Sequence, residues 1–270
     1  VLHKGIAGAA LATILGQAAA FVWVLVHFFN PRSTVHFTRH GWSLNGGIIR
    51  KVYAIGMSPF LMNCCACLVV VFINKALLDS AGADGNLAVG AYGIINRASM
   101  FFVMIIFGIT QGMQPILGYN FGACSWERVR ATLMRGIWIA TGVATVGFVI
   151  TEAMPDVVSA MFTTDAGMIA IARDGFRIFF LFYPLVGSQI VIQNYFQSIG
   201  KPKLSIFLSL TRQLIFLVPM LLWLPAKLGV DGVWISMCIS DFIAFCLALI
   251  TMLVMNRRIQ RQLESHATHS

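Results

Sequence analysis

Seven times along this chain an apolar run reaches about twenty residues or more, long enough as α-helix to cross the ~30 Å hydrocarbon core of a bilayer. The runs lie near 4–29, 53–78, 92–118, 131–152, 174–197, 204–224 and 232–255, separated by Gly, Pro, Asp or basic clusters. Lipid offers no hydrogen bonds to backbone groups, so a chain with such runs satisfies them within each segment. The expected class is an all-α membrane protein of about seven transmembrane helices. Composition agrees: 58% of residues are hydrophobic, 11% are charged and the mean hydropathy is +0.81, whereas a soluble domain carries roughly 25% charged residues.

The basic residues test the number of spans. Arg32, Arg39, Arg50 and Lys51 follow the first run; Arg128, Arg130 and Arg135 follow the third; Lys201 and Lys203 follow the fifth; Arg257, Arg258 and Arg261 follow the seventh. The alternate segments carry Asp79 and Asp84, then Asp156, Asp165 and Asp174 with Arg173, then Lys227 with Asp231. Lys and Arg concentrate on the cytoplasmic side. An extra or missing helix would invert every later loop, so the pattern supports seven spans with Val1 external and Ser270 cytoplasmic. The chain starts inside an apolar helical stretch, so further helices are expected upstream. Gly8, Ala12, Gly16 and Ala20 give the first helix a small-residue stripe suited to close packing on a partner.

Several classes are excluded. The net charge of +9 is scattered between apolar runs with few interleaved aromatics, which argues against nucleic acid as a partner. Cys64, Cys65, Cys67, Cys124, Cys238 and Cys246 lack the paired spacing of a zinc site and read as small packing residues; no metal is expected. The intramembrane histidine pairs of a haem electron-transfer subunit are missing, and the last span has no Lys for a retinal Schiff base, which weighs against a seven-helix receptor-like protein. No cofactor and no enzyme activity are expected.

Polar groups inside the runs mark the candidate working parts. Pro59, Pro115, Pro184 and Pro219 fall within spans, where each removes a backbone donor and favours a bend. Arg97 and Arg177 lie near external ends, within snorkelling reach of the headgroups. Arg212 lies ~12 Å inside the cytoplasmic end of its helix and Asp241 ~14 Å inside the external end of the next, at 1.5 Å per residue. In a ~30 Å core those depths nearly coincide. An unpaired charge there costs several kcal/mol, so the two are expected to face each other, as a fixed ion pair or with Asp241 serving proton or cation coupling. Asn63, Gln111, Gln114, Gln189 and Gln193, with Tyr183, are candidates for a polar substrate path or for interhelical hydrogen bonding.

Residues 108–123, GITQGMQPILGYNFGA, with VGAYGIINR at 89–97, resemble a signature of the multidrug and toxic compound extrusion (MATE) transporters. Residues 176–225 and GVDGVWISMCISD at 229–241 are similar to later helices of the same family. The resemblance implies a twelve-helix transporter of two six-helix lobes. Residues 1–29 would be the last helix of the N-terminal lobe, 30–52 the cytoplasmic linker, 53–256 the six-helix C-terminal lobe and 257–270 a cytoplasmic tail. It implies export of small organic compounds, often cations, against H+ or Na+ across a bacterial cytoplasmic membrane. The partners would be membrane lipid and the missing N-terminal lobe; a lipid-linked oligosaccharide flippase of the same superfamily is the alternative. Some branches carry a membrane acid in the first helix of this lobe, and a Tyr followed one turn later by Asp in its fourth. Here the former is absent and Tyr183 is followed by Gly187, so the sequence is more similar to the branch of DNA-damage-inducible and staphylococcal exporters.

Overall fold

A computed structural model describes the backbone of residues 5–30 and 46–267, with most of the side chains in those stretches. Among the described residues the secondary structure is helical throughout. The chain forms two compact units, residues 1–55 and 56–270. The first contains α1 (Gly5–Phe29), an apolar helix whose Leu15, Phe21 and Trp23 are exposed. It also contains the start of α2 (Gly46–Ala81). Most of the 30–52 segment lies outside the described residues.

The second unit begins as a reversal. α2 passes through a 3-10 turn (Gly82–Asp84) into α3 (Gly85–Gly122), a combined helical stretch of 63 residues from Phe60 to Gly122. Gly82 adopts φ +55°, a conformation glycine takes without steric cost. A Cβ on Gly85 would lie 3.1 Å from the Leu78 backbone, so the start of α3 lies directly against the end of α2. The stretch therefore doubles back and supplies two crossings. Pro59 lies in α2, its side chain outside the described ones; Pro115 is exposed, and α3 runs through it uninterrupted. α3 ends at a tight turn where Cys124 takes φ +54° and the Phe121 and Trp126 rings meet edge to face at 5.0 Å.

α4 (Trp126–Ala153) presents Gly136, Ala140, Ala144 and Gly147 as buried small residues at helical spacing. A Cβ on Gly187 of α7 (Tyr183–Ser198) would sit 2.5 Å from the Ala140 carbonyl oxygen, so these two helices touch backbone to backbone. After the short α5 (Pro155–Ala160), α6 (Ala166–Phe179) is capped by Asp165, whose Oδ1 accepts from the Gly167 and Met168 amides at 2.9 and 3.1 Å.

The run predicted as one helix over 174–197 is corrected here. α6 and α7 meet at a 60° bend after Phe179. Pro184, in the first turn of α7, has no N–H to carry the ladder back to the Phe180 carbonyl. Aromatic packing fills the elbow, with the Phe180 and Tyr183 ring centroids 4.3 Å apart.

The next crossing, Pro202–Leu228, is also irregular. It comprises α8 (Pro202–Leu210), a π-helical segment (Thr211–Leu217), α9 (Val218–Trp223) and α10 (Pro225–Leu228). Pro219 removes the donor for the Ile215 carbonyl, and π geometry upstream is one way for the backbone to absorb that loss. Gly229, at φ +61°, turns the chain into α11 (Val230–Ala267). Five helical stretches among the described residues are long and apolar enough to cross a bilayer, and the bent α6–α7 pair, taken as one span, makes a sixth. The Phe60–Gly122 reversal raises the count to seven. Trp234, Phe176, Phe180, Tyr195 and Phe196 fill the core, while Phe101, Met104, Trp138 and Leu222 are exposed, as a lipid-facing surface requires.

Candidate functional site

The middle of the second unit holds a cavity of about 450 Å³ enclosed by α2, α3, the α6–α7 elbow, α8 with its π segment, and α11. Its polar lining follows helical spacing. Ser205, Ser209, Arg212 and Gln213 stand at i, i+4, i+7 and i+8 through α8 and the π segment. Asn96 and Ser99 of α3, Gln193, Asn194 and Gln197 of α7, and Ser240 with Asp241 of α11 complete it. Met62, Val69, Tyr92, Val103 and Phe179 supply apolar and aromatic wall. Amides and hydroxyls amid aromatic surface suit an amphipathic organic guest.

At one side of the cavity Arg212 Nε lies 2.7 Å from Asp241 Oδ1. The Asp241 side chain is 8% exposed and that of Arg212 31%, so the carboxylate is sealed in protein while the guanidinium reaches cavity space. The distance is that of a close ion pair, but the Nε–H is not aimed well enough at an acceptor to count as a hydrogen bond. The contact is therefore chiefly electrostatic. Around it, Thr211 Oγ1 and Gln213 Oε1 are buried without a hydrogen-bonding partner among the described residues.

Tyr183 anchors the part of the wall contributed by α7. Its hydroxyl donates to the Ser99 carbonyl at 2.8 Å and receives the Ser99 hydroxyl at 3.2 Å, tying α7 to α3 just below the elbow. Tyr183→Phe strands that pair in a buried site. The expected cost is about 1–2 kcal/mol, read as a lowered unfolding temperature in detergent. An unchanged midpoint would show that the bond does not hold the elbow.

Of the residues singled out from the sequence, Arg212 and Asp241 come together, and with Tyr183 and Gln193 they line the cavity. Gln189 is completely buried, yet neither amide atom has a partner among the described residues, and it is not in the lining. Gln111 and Gln114 stand near the face of α3 that carries Asn96 and Ser99, but beyond Phe107, where the cavity lining on that helix ends. Asn63 is exposed on α2, one residue off the cavity-facing Met62. Asn63, Gln111, Gln114 and Gln189 thus stand outside the cavity wall. Asn120 is engaged by its own helix, its Nδ2 donating to the Ile116 carbonyl at 2.8 Å. Sequence reasoning missed Asn96, Ser99, Gln197, Ser205, Ser209, Gln213 and Ser240. The polar spacing 205, 209, 212, 213 through an apolar run was a readable signal for three of them.

A sequence profile of the MatE family matches residues 55–223. The multidrug export protein MepA of Staphylococcus haemolyticus is 22% identical over 258 residues, which are 96% of this chain and 56% of that protein. MepA of Staphylococcus aureus strain NCTC 8325 is 24% identical, over 94% of this chain and 55% of that protein. Among solved structures, the MATE multidrug transporter DinF-BH superposes with a TM-score of 0.79 at 35% identity, covering 96% of this chain and 57% of that one. An outward-facing multidrug resistance MATE transporter of the MOP superfamily gives a TM-score of 0.83 at 21% identity, covering 96% and 58%. The chain thus spans somewhat over half the length of the relatives it matches.

Proposed function

Because the chain belongs to the MATE family of transporters, we propose that it supplies the C-terminal lobe, with one helix of the N-terminal lobe, of an exporter that exchanges organic compounds for H+ or Na+. The single observation that carries this reading is the cavity itself. It combines amides, hydroxyls and aromatic faces with one buried carboxylate and one arginine. Aromatic faces and a carboxylate favour cationic guests, while the opposed charges leave the charged lining neutral overall. A pyrophosphate-linked lipid would need a strongly cationic wall, which weighs against the flippase alternative.

The ion pair gives the lobe a differential interaction on which coupling can act. In one state Arg212 satisfies Asp241; in the other a proton, a sodium ion or the guest's own cationic centre takes its place and Arg212 turns into the cavity. A ligand shifts a conformational equilibrium only by its difference in affinity between the states. Competition for one carboxylate is such a difference. No covalent step is involved, and membership of a transporter family leaves none to assign.

The test is ethidium movement in everted vesicles that carry the full-length parent, with a proton or a sodium gradient imposed separately. Movement driven by one gradient and not by the other supports antiport and identifies the ion. Movement insensitive to both gradients, or none, overturns it.

A further inference from the structure

We infer that a second site, at the opposite end of α7 from the elbow, holds one anionic phospholipid of the cytoplasmic leaflet. A groove of about 480 Å³ runs between the first turns of α4, the C-terminal part of α7 and the distal part of α11. It shares none of its lining with the central cavity.

The groove is layered along the helix axes. Arg130 of α4 and Arg257 of α11 stand exposed at its mouth, with Glu127 and Asn256 beside them. About one turn further into each helix the lining changes to Leu133 and Met134 on α4, and Met252 and Leu253 on α11. Charge at the mouth and apolar surface one helical turn below is the profile of a phosphodiester above an acyl chain. The positive-inside pattern places this mouth at the cytoplasmic leaflet, where basic pockets between transmembrane helices hold anionic headgroups.

Two details argue for a polar occupant rather than packing alone. The Trp126 indole N–H is buried in this wall with no acceptor among the described residues, although an indole donor so placed normally finds one. The Tyr195 hydroxyl is already engaged, donating to Asn256 Oδ1 at 3.1 Å, which holds the Asn256 amide at the mouth. Glu127 opposes an anion, so the two arginines and one carboxylate leave one positive charge, the match for a single phosphodiester. A zwitterionic headgroup would leave that charge uncompensated. Because three helices contribute to the groove, a bound lipid would brace them where α7 packs against both α4 and α11.

The measurement is the apparent affinity of the purified full-length parent in detergent for phosphatidylglycerol, read as a rise in unfolding temperature with added lipid. Phosphatidylethanolamine and inorganic phosphate run alongside. Phosphatidylglycerol should stabilise, inorganic phosphate should not, and Arg130→Gln with Arg257→Gln should weaken the apparent affinity at least tenfold. Both arginines are exposed, so the double variant should fold, and its midpoint without lipid checks this. If it does not fold, the single variants, each weakened about threefold or more, decide the same question. Equal stabilisation by phosphatidylethanolamine, equal stabilisation by phosphate, or an undiminished response in the variants overturns the site. None of these readouts depends on transport, so the site can fail while the proposed function stands.

Discussion

Arg212→Gln in the full-length parent is expected to destabilise the protein more than Asp241→Asn, and both are expected to stop gradient-driven export. The asymmetry follows from burial. Removing the arginine leaves a carboxylate only 8% exposed with no partner for its charge. Breaking such a pair costs about 3–5 kcal/mol. Removing the carboxylate's charge leaves an arginine 31% exposed, whose guanidinium can turn into the cavity, so the cost falls below that range. The double variant Arg212→Gln with Asp241→Asn removes both charges together and should recover most of the stability. It should not recover transport, because no group remains for guest and coupling ion to contest.

The comparison separates structure from coupling. Stability is read by thermal unfolding in detergent, coupling by ethidium movement under an imposed gradient. If the double variant is as unstable as Arg212→Gln alone, the ion pair does not account for the fold of this region. If it transports like the parent, coupling lies elsewhere. A charge swap, Arg212→Asp with Asp241→Arg, should be better tolerated than either reversal alone if the pairing is what matters.

A second large effect is expected from a residue with no polar chemistry. Gly187→Ala should lower the unfolding midpoint sharply, and Gly187→Leu should prevent accumulation of folded protein. The new Cβ would meet the Ala140 carbonyl oxygen at 2.5 Å and its carbon at 2.8 Å, with the Ala144 Cβ at 3.1 Å. Backbone atoms cannot rotate away as a side chain can, so α4 and α7 must separate. Overpacking of this kind costs about 1–3 kcal/mol for a small addition, and α4 with α7 borders both the elbow and the groove. Gly142→Ala on α4 is the control, since its Cβ would meet nothing within 4 Å. Alanine is favoured over glycine inside a helix by about 1 kcal/mol, so that change should be neutral or stabilising. Similar loss in both variants would point to a general effect of altered glycine content instead of the α4–α7 contact.

The sequence alone carried the membrane class and the family resemblance, because both rest on one-dimensional quantities: the length of apolar runs, the alternation of basic loops and a contiguous motif. It also put Arg212 and Asp241 at a common depth, since rise per residue in a helix is fixed and depth follows from counting. Counting cannot give rotation or the end of a cavity. Gln111 and Gln114 share the right region of α3 but lie past Phe107, and Asn63 misses the cavity by one residue of helical rotation.

Tertiary structure decided the rest. Hydropathy over 174–197 registers composition and not the hydrogen-bond ladder, so the 60° break at 180–182 was hidden inside a continuous apolar run. The π segment before Pro219 depends on how neighbours absorb a missing donor, and the run of hydropathy gave no sign of it. Small hydroxyl residues such as Ser99 and Ser240 became legible only once five elements enclosed a common space. In a chain whose solvent is lipid, the sequence determines which segments leave water, because that transfer is summed along each segment. Which polar groups then meet is decided by packing between segments, where a single turn of one helix or a single glycine opposite a carbonyl sets the outcome.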